Sequence, residues 1–132
     1  MPRSASEHPT ELELQILKIL WDRSPLAVRT VREALADQGR EIAHTSAITT
    51  LNIMVRKGYL KRERDGKSYL FSPKVQQKRV STRILHDVVD RVFNGSVKAT
   101  LLNLFDHSDI DERELEELRE LIERKAKEQS ND

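Results

Sequence analysis

The sequence predicts a mainly α-helical chain with one small β-hairpin, in which a mixed N-terminal part is followed by an all-helical C-terminal part. Three observations predict it. Apolar residues recur at helical spacing along most of the 132 residues,. The one stretch with strand-like alternation, residues 60–71, is interrupted by Asp65-Gly66, a turn dipeptide,. After Pro73 the composition changes: residues 1–73 hold 12 Lys/Arg against 9 Asp/Glu, whereas residues 74–132 hold 11 against 13.

In chain order, residues 1–9 are polar and without periodicity, and disorder is expected there,. Thr10-Glu11-Leu12-Glu13 reads as a capping box, in which a Thr oxygen and a Glu carboxylate satisfy free amides at a helix start,. Leu12, Ile16, Leu17, Leu20 and Trp21 then mark the inner face of a first helix to about Asp22, with Trp21 as a core anchor,. Ser24-Pro25 ends it, because the residue before proline disfavours the helical region,. Leu26-Ala27-Val28 suits a very short strand. Val31, Ala34 and Leu35 mark a second helix, from about Arg29 to Gln38, closed by Gly39 as a left-handed cap,.

The third helix is the informative one. With Leu51 at the centre of its inner face, Ala47, Ile48, Met54 and Val55 fall on the same side at 100° per residue,. Thr45, Thr49, Asn52, Ile53 and Arg56 fall opposite. Short hydroxyl and amide side chains are indifferent helix formers, so their gathering on one exposed face suits the reading of base edges and phosphates. His44 and Ser46, at the helix start, suit phosphate contact or capping. Two strands follow, Leu60–Arg64 and Lys67–Phe71, joined by Asp65-Gly66 as a two-residue type I′ turn,. Arg64 and Lys67 would flank the wing tip, and one of Tyr69 and Phe71 should pack on the third helix. Between Arg40 and Lys67 there are seven basic and three acidic residues, an excess that suits a phosphate backbone,. Together these elements read as a winged helix-turn-helix over residues 10–73.

Residues 74–128 read as a helical dimerisation domain. A long helix is expected from Lys74 to Phe93, with Val80, Ile84, Leu85, Val88 and Val92 as its stripe. Asn94-Gly95-Ser96 is a turn, and Val97–Phe105, containing Leu101, a short apolar helix. Asp111 with Glu114 reads as a second capping box, and Ile110 with Leu115 as a hydrophobic staple,. The last helix, to about Glu128, carries Leu115, Leu118, Leu121 and Ile122 on one side. Stripes on helices outside a small winged domain exceed what one thin chain can bury, so a symmetric homodimer is expected, with Ile84, Val88, Leu101, Leu115, Leu118 and Ile122 at its interface. The overall balance, 37% hydrophobic and 34% charged, suits a chain that buries part of its apolar surface in a partner.

Other classes of function fit poorly. The absence of cysteine excludes disulfides, thiolate metal sites and thiol redox chemistry,. No run of about 18 apolar residues is present, and the N-terminus has no signal-like apolar core, so a cytoplasmic chain with no membrane segment is expected,. His8, His44, His86 and His107 lack metal-ligand spacing, and His86 with Asp90 is a weak pattern better read as a surface pair,. No nucleophile elbow or phosphate-cradling Gly loop occurs, so neither an enzyme nor a cofactor site is expected,. The competing class is a winged helix used only for protein interaction, which would call for an acidic or apolar outer surface on the third helix and wing. Arg56, Lys61, Arg62, Arg64 and Lys67 disfavour it.

With the order TELELQILKILW, AHTSAITTLN, VRKGYL, RDGKSYLFSP and ELEELRELI, the chain resembles the penicillinase-repressor family from Thr10 to about Lys127. The resemblance implies a repressor dimer on a palindromic double-stranded DNA operator. The third helix of each protomer would lie in the major groove, each wing near the backbone, and the C-terminal helices would clasp the two chains. For the β-lactam branch it also implies release by a regulatory protease, cutting between Asn and Phe in the short helix. Here Asn103-Leu104 occupies that place, with Leu instead of Phe. The cysteine pairs of copper-responsive relatives are missing. Ile53 stands where many members have Arg; it could meet a thymine methyl or pack against the wing.

Overall fold

A computed structural model describes residues 8–131. The element order is α1 (Glu11–Asp22), β1 (Leu26–Ala27), α2 (Val28–Asp37), α3 (His44–Arg56), β2 (Leu60–Asp65), β3 (Ser68–Pro73), α4 (Gln77–Val92), α5 (Val97–His107) and α6 (Glu112–Ser130). The chain forms two compact units, one ending at His86 and one beginning at Asp87. Of the N-terminal stretch expected to be disordered, residues 1–7 lie outside the described residues, while His8 and Pro9 are half-buried.

In the first unit, the apolar faces of α1, α2 and α3 meet the sheet around Ile16, Leu17, Leu20, Val31, Leu35, Leu51, Met54, Leu60 and Phe71, all buried. Each helix presents the stripe its 3.6-residue period dictates. The expected box at the start of α1 forms in full: Glu13 N–H donates to Thr10 Oγ1 at 3.1 Å, and Thr10 N–H donates to Glu13 Oε1 at 2.9 Å. The same carboxylate, only 4% exposed, also accepts from Lys57 Nζ at 2.9 and 3.1 Å. One side chain thus closes the first turn of α1 and fastens it to the end of α3. Tyr59 lies beside this pair; burial pushes its phenol above the ordinary range, opposed by Lys57 and reinforced by Glu13,. Trp21 packs on the core and donates its indole N–H to the Val75 carbonyl at 2.8 Å.

The sheet is antiparallel with order β1-β3-β2. Leu26 and Ala27 pair with Phe71 and Leu70, so the short strand closes the inner edge of the hairpin. The hairpin turn sits one residue later than the sequence suggests. Asp65 pairs with Ser68, leaving Gly66-Lys67 as the two-residue loop. Gly66 has φ +64°, and Lys67 is not in the left-handed region. That is the pattern of a type II′ turn, glycine first, rather than the type I′ turn expected of Asp65-Gly66. A type I′ turn would demand positive φ at both loop residues, whereas this register confines that demand to the residue without a Cβ.

Helix α4 begins three residues later than its periodicity suggests. Lys74 N–H still bonds the Tyr59 carbonyl at 2.8 Å, and Trp21 holds the Val75 carbonyl, which keeps this segment out of the helical ladder. In the second unit, Asn94 (φ 52°) and Gly95 (φ 80°) make the turn, and Ser96 Oγ caps α5 by accepting from Ala99 N–H at 2.9 Å. At α6 only the Asp111 half of the expected box forms, accepting from Glu114 N–H at 2.8 Å. None of α4, α5 and α6 contains a buried residue.

Candidate nucleic-acid interface

Helix α3 is held at both ends. At its start, Arg32 on α2 donates through Nε and Nη2 to the Ile42 carbonyl at 3.2 and 3.1 Å. At its end, Lys57 reaches Glu13. Between these anchors, Ala47, Leu51 and Met54 are buried, whereas His44, Thr45, Ser46, Thr49 and Arg56 are exposed and Asn52 and Ile53 half-exposed. The outward face is therefore the one the residue spacing assigns. Ala43 offers no side-chain cap hydrogen bond to the amides of the first turn around Thr45 and Ser46. Those amides are donors for an anion's oxygen at the positive end of the helix dipole.

Ile48 departs from the expected inner face. It is half-buried and lines a cleft of about 430 Å³ between α3 and the wing, together with Val28, His44, Asn52, Tyr69 and Phe71. Being 60° from Leu51, it lies on the shoulder of the helix where the sheet stops covering it. Ile53 borders neither this cleft nor the one shared by Thr49, Asn52, Arg56 and Arg62. It is 100° round the helix from Asn52, away from the wing.

The register of the hairpin sorts its charges. Arg62 stands opposite Phe71 and Arg64 opposite Tyr69, so both arginines share the face of the two aromatics, while Lys61 and Glu63 point to the other side,. Phe71 is buried in the core. Tyr69, further out, is overlaid by Arg62 at 4.4 Å and by Arg64 at 5.8 Å from its ring centroid. Arg62 Nη1 also donates to Asn52 Oδ1, joining the wing to the outward face of α3. Arg64 donates to the Gly66 carbonyl at 3.3 Å, and Lys67, in the loop, lines the cleft. The outcome is a continuous surface in which hydroxyl and amide groups of α3 are flanked by guanidinium and ammonium groups. Such a surface offers donors to phosphates and both donors and acceptors to base edges.

Thr45, Thr49, Asn52 and Arg56 are thus brought to one side of α3, with Arg64 and Lys67 beside them on the wing. The residues expected at a dimer interface, and Asn103 and Leu104, belong to α4, α5 and α6. Sequence reading missed the part of Arg62. Its signal was the two-residue alternation that puts Arg62 and Arg64 on one side of β2.

Among the described residues no group of His, Asp and Glu could hold a metal ion, and no helix is long and apolar enough to cross a membrane.

Residues 9–124 match the family model described as penicillinase repressor. A penicillinase repressor of Bacillus licheniformis is 22% identical over 114 residues, covering 86% of this chain and 88% of that protein. A methicillin resistance regulatory protein MecI of Mammaliicoccus sciuri is 21% identical over 113 residues, covering 86% and 91%. A transcriptional regulator BlaI of Mycobacterium tuberculosis is 27% identical over 104 residues, covering 77% and 75%. Among solved structures, a chain of the hsRosR complex is similar with a TM-score of 0.55 at 20% identity, covering 94% of this chain and 96% of that one. The PcaV transcriptional regulator of Streptomyces coelicolor gives 0.50 at 22% identity, covering 92% and 77%. The structural likenesses carry the fold, that of winged-helix regulators. With nearly its whole length matched, the chain belongs to the penicillinase repressor family, whose members are transcriptional repressors and not enzymes.

Proposed function

We propose that this protein is a sequence-specific DNA-binding repressor that acts as a homodimer on a palindromic operator. The observation that carries the reading is the outward face of α3: Thr45, Ser46, Thr49, Asn52 and Arg56, beside a wing face bearing Arg62, Arg64 and Lys67. In this reading α3 enters the major groove, and the wing cations meet the flanking phosphates. Ile53, turned away from the wing, supplies an apolar contact of the kind a thymine methyl accepts. The regulated genes are expected to be of the drug-response kind that the names of the relatives denote.

Homodimerisation is supported by the apolar surface of the second unit. Val88 and Val92 on α4, Leu101 and Leu102 on α5, and Leu121 and Ile122 on α6 are all exposed in the single chain. An isolated soluble chain rarely leaves so many large side chains uncovered together, and a two-fold partner would cover them. Two copies so joined would set the spacing of the two half-sites. Release by a regulatory protease is supported only by the exposure of Asn103 and Leu104. Their peptide bond lies within α5, so cleavage requires that helix to unwind locally.

Selection of bound duplexes from a random pool, followed by titration across a salt series, tests the reading. A two-fold symmetric site is expected, with affinity that falls steeply as salt rises, because neutralised phosphates release counterions. Enrichment of no sequence, or affinity indifferent to salt, would overturn it. Thr49→Ala should cost about 1–3 kcal/mol on the selected site and little on random duplex.

A further inference from the structure

We infer that Arg62 determines what Asn52 can read, by fixing the amide of Asn52 as a donor toward the groove. The inference rests on the DNA-binding reading above and specifies one part of it. Asn52 lies on the outward side of α3, half-exposed, and its Oδ1 accepts from Arg62 Nη1. Arg62 is itself fixed from two further directions. Its backbone is in the β2–β3 ladder opposite Phe71, whose side chain is buried, and its guanidinium overlies the Tyr69 ring at 4.4 Å. Tyr69 packs against the core of the unit. Core, ring, guanidinium and amide thus form one stack that ends at a candidate base-reading group.

A guanidinium has only donors, so the atom of Asn52 facing it must be the oxygen; the flipped amide would set NH₂ against N–H. The amide is planar, and with its oxygen committed to the wing its two N–H bonds are directed away from Arg62. An unconstrained asparagine reads adenine with both ends, accepting from N6–H and donating to N7. An asparagine whose oxygen already faces a cation is poor at the accepting half of that pair, because the adenine amino group would have to approach beside the guanidinium. Its donating half is intact, and hydrogen bonding to a cation polarises the amide and strengthens it as a donor. The base best served by a pure donor in the major groove is guanine, which offers N7 and O6 together. Arg62 is therefore a positioning residue. It sets specificity at the base facing Asn52 without itself touching that base.

The experiment is selection from a random duplex pool by the full-length protein and by Arg62→Met, Asn52→Ala and the double variant, with folding of each checked by circular dichroism. Methionine keeps the unbranched apolar stem of the side chain and removes every donor. The wild type is expected to prefer guanine at one position per half-site, and Asn52→Ala to lose that preference. Arg62→Met should move the preference at that same position toward adenine by about tenfold or more in the adenine-to-guanine ratio, the discrimination of one good bidentate pair. In the double variant, which lacks the amide, the position should be indifferent. A lost charge alone would weaken all sequences alike, so a base preference for Arg62→Met identical to that of the wild type overturns the inference while leaving the DNA-binding reading intact. Adenine already preferred by the wild type at the Asn52-dependent position overturns it as well. A wild type that enriches no sequence overturns both.

Discussion

Lys57→Met should destabilise the first unit through a group that belongs to another helix. Glu13 is 4% exposed, and its carboxylate is held by Thr10 N–H and by Lys57 Nζ. Removing the ammonium leaves a buried carboxylate with a single neutral donor. Stranding one member of a buried ion pair costs about 3–5 kcal/mol when both are fully desolvated. The Lys57 side chain is 29% exposed, so water can partly replace it, and the expected loss falls to about 2–3 kcal/mol once this screening is allowed for,. For a unit of this size that is a fall in melting temperature of about 10–20 °C. Urea unfolding followed by the fluorescence of Trp21, the single tryptophan, reports it directly, because the indole sits on the core and is tied to Val75. All variants are compared at one protomer concentration, since association would add to apparent stability. The decisive comparison repeats Lys57→Met in a Glu13→Gln background. Gln retains the capping geometry but carries no charge, and the second loss should then be under about 1 kcal/mol. Equal losses in the two backgrounds would refute the claim that the carboxylate–ammonium contact is what Lys57 contributes.

Three further outcomes are expected. Arg64→Ala and Lys67→Ala should each weaken binding to every duplex alike and reduce the slope of log affinity against log salt by about 0.9, and an unchanged slope would remove that residue from the phosphate contacts. Ile122→Asp should turn a dimer into a folded monomer in sedimentation, since Ile122 is 54% exposed in the single chain,; a surviving dimer would locate the interface elsewhere. Gly66→Ala should destabilise the chain by about 1 kcal/mol. The space around Gly66 is open, so the whole cost would come from its φ of +64°, and an unchanged urea midpoint would refute the type II′ turn.

Several of these features are legible in the residues alone, for reasons of local chemistry. Thr10 and Glu13 cap α1 because the bonds concerned span three residues,. Leu51, Ala47 and Met54 are buried, with Thr45 and Thr49 outside, because one helical period decides it,. The one-residue displacement of the hairpin turn was not legible from the Asp65-Gly66 pair, because the register is settled along the whole hairpin, from Leu60 with Pro73 to Asp65 with Ser68,. The delayed start of α4 was hidden for a similar reason: its cause is Trp21, on a helix 54 residues earlier.

By itself, the sequence determined the elements, their buried faces, the chemical character of the outward side of α3 and the surplus of apolar side chains on α4 to α6. These follow from periodicity, caps and residue type, which act over a few residues at a time. Only the tertiary structure decided that the carboxylate capping α1 also holds α3, that Ile48 borders the wing while Ile53 does not, and that Arg62 on β2 grips Asn52 on α3. Each is a meeting of side chains distant along the chain, fixed by how helices and sheet pack on a common core.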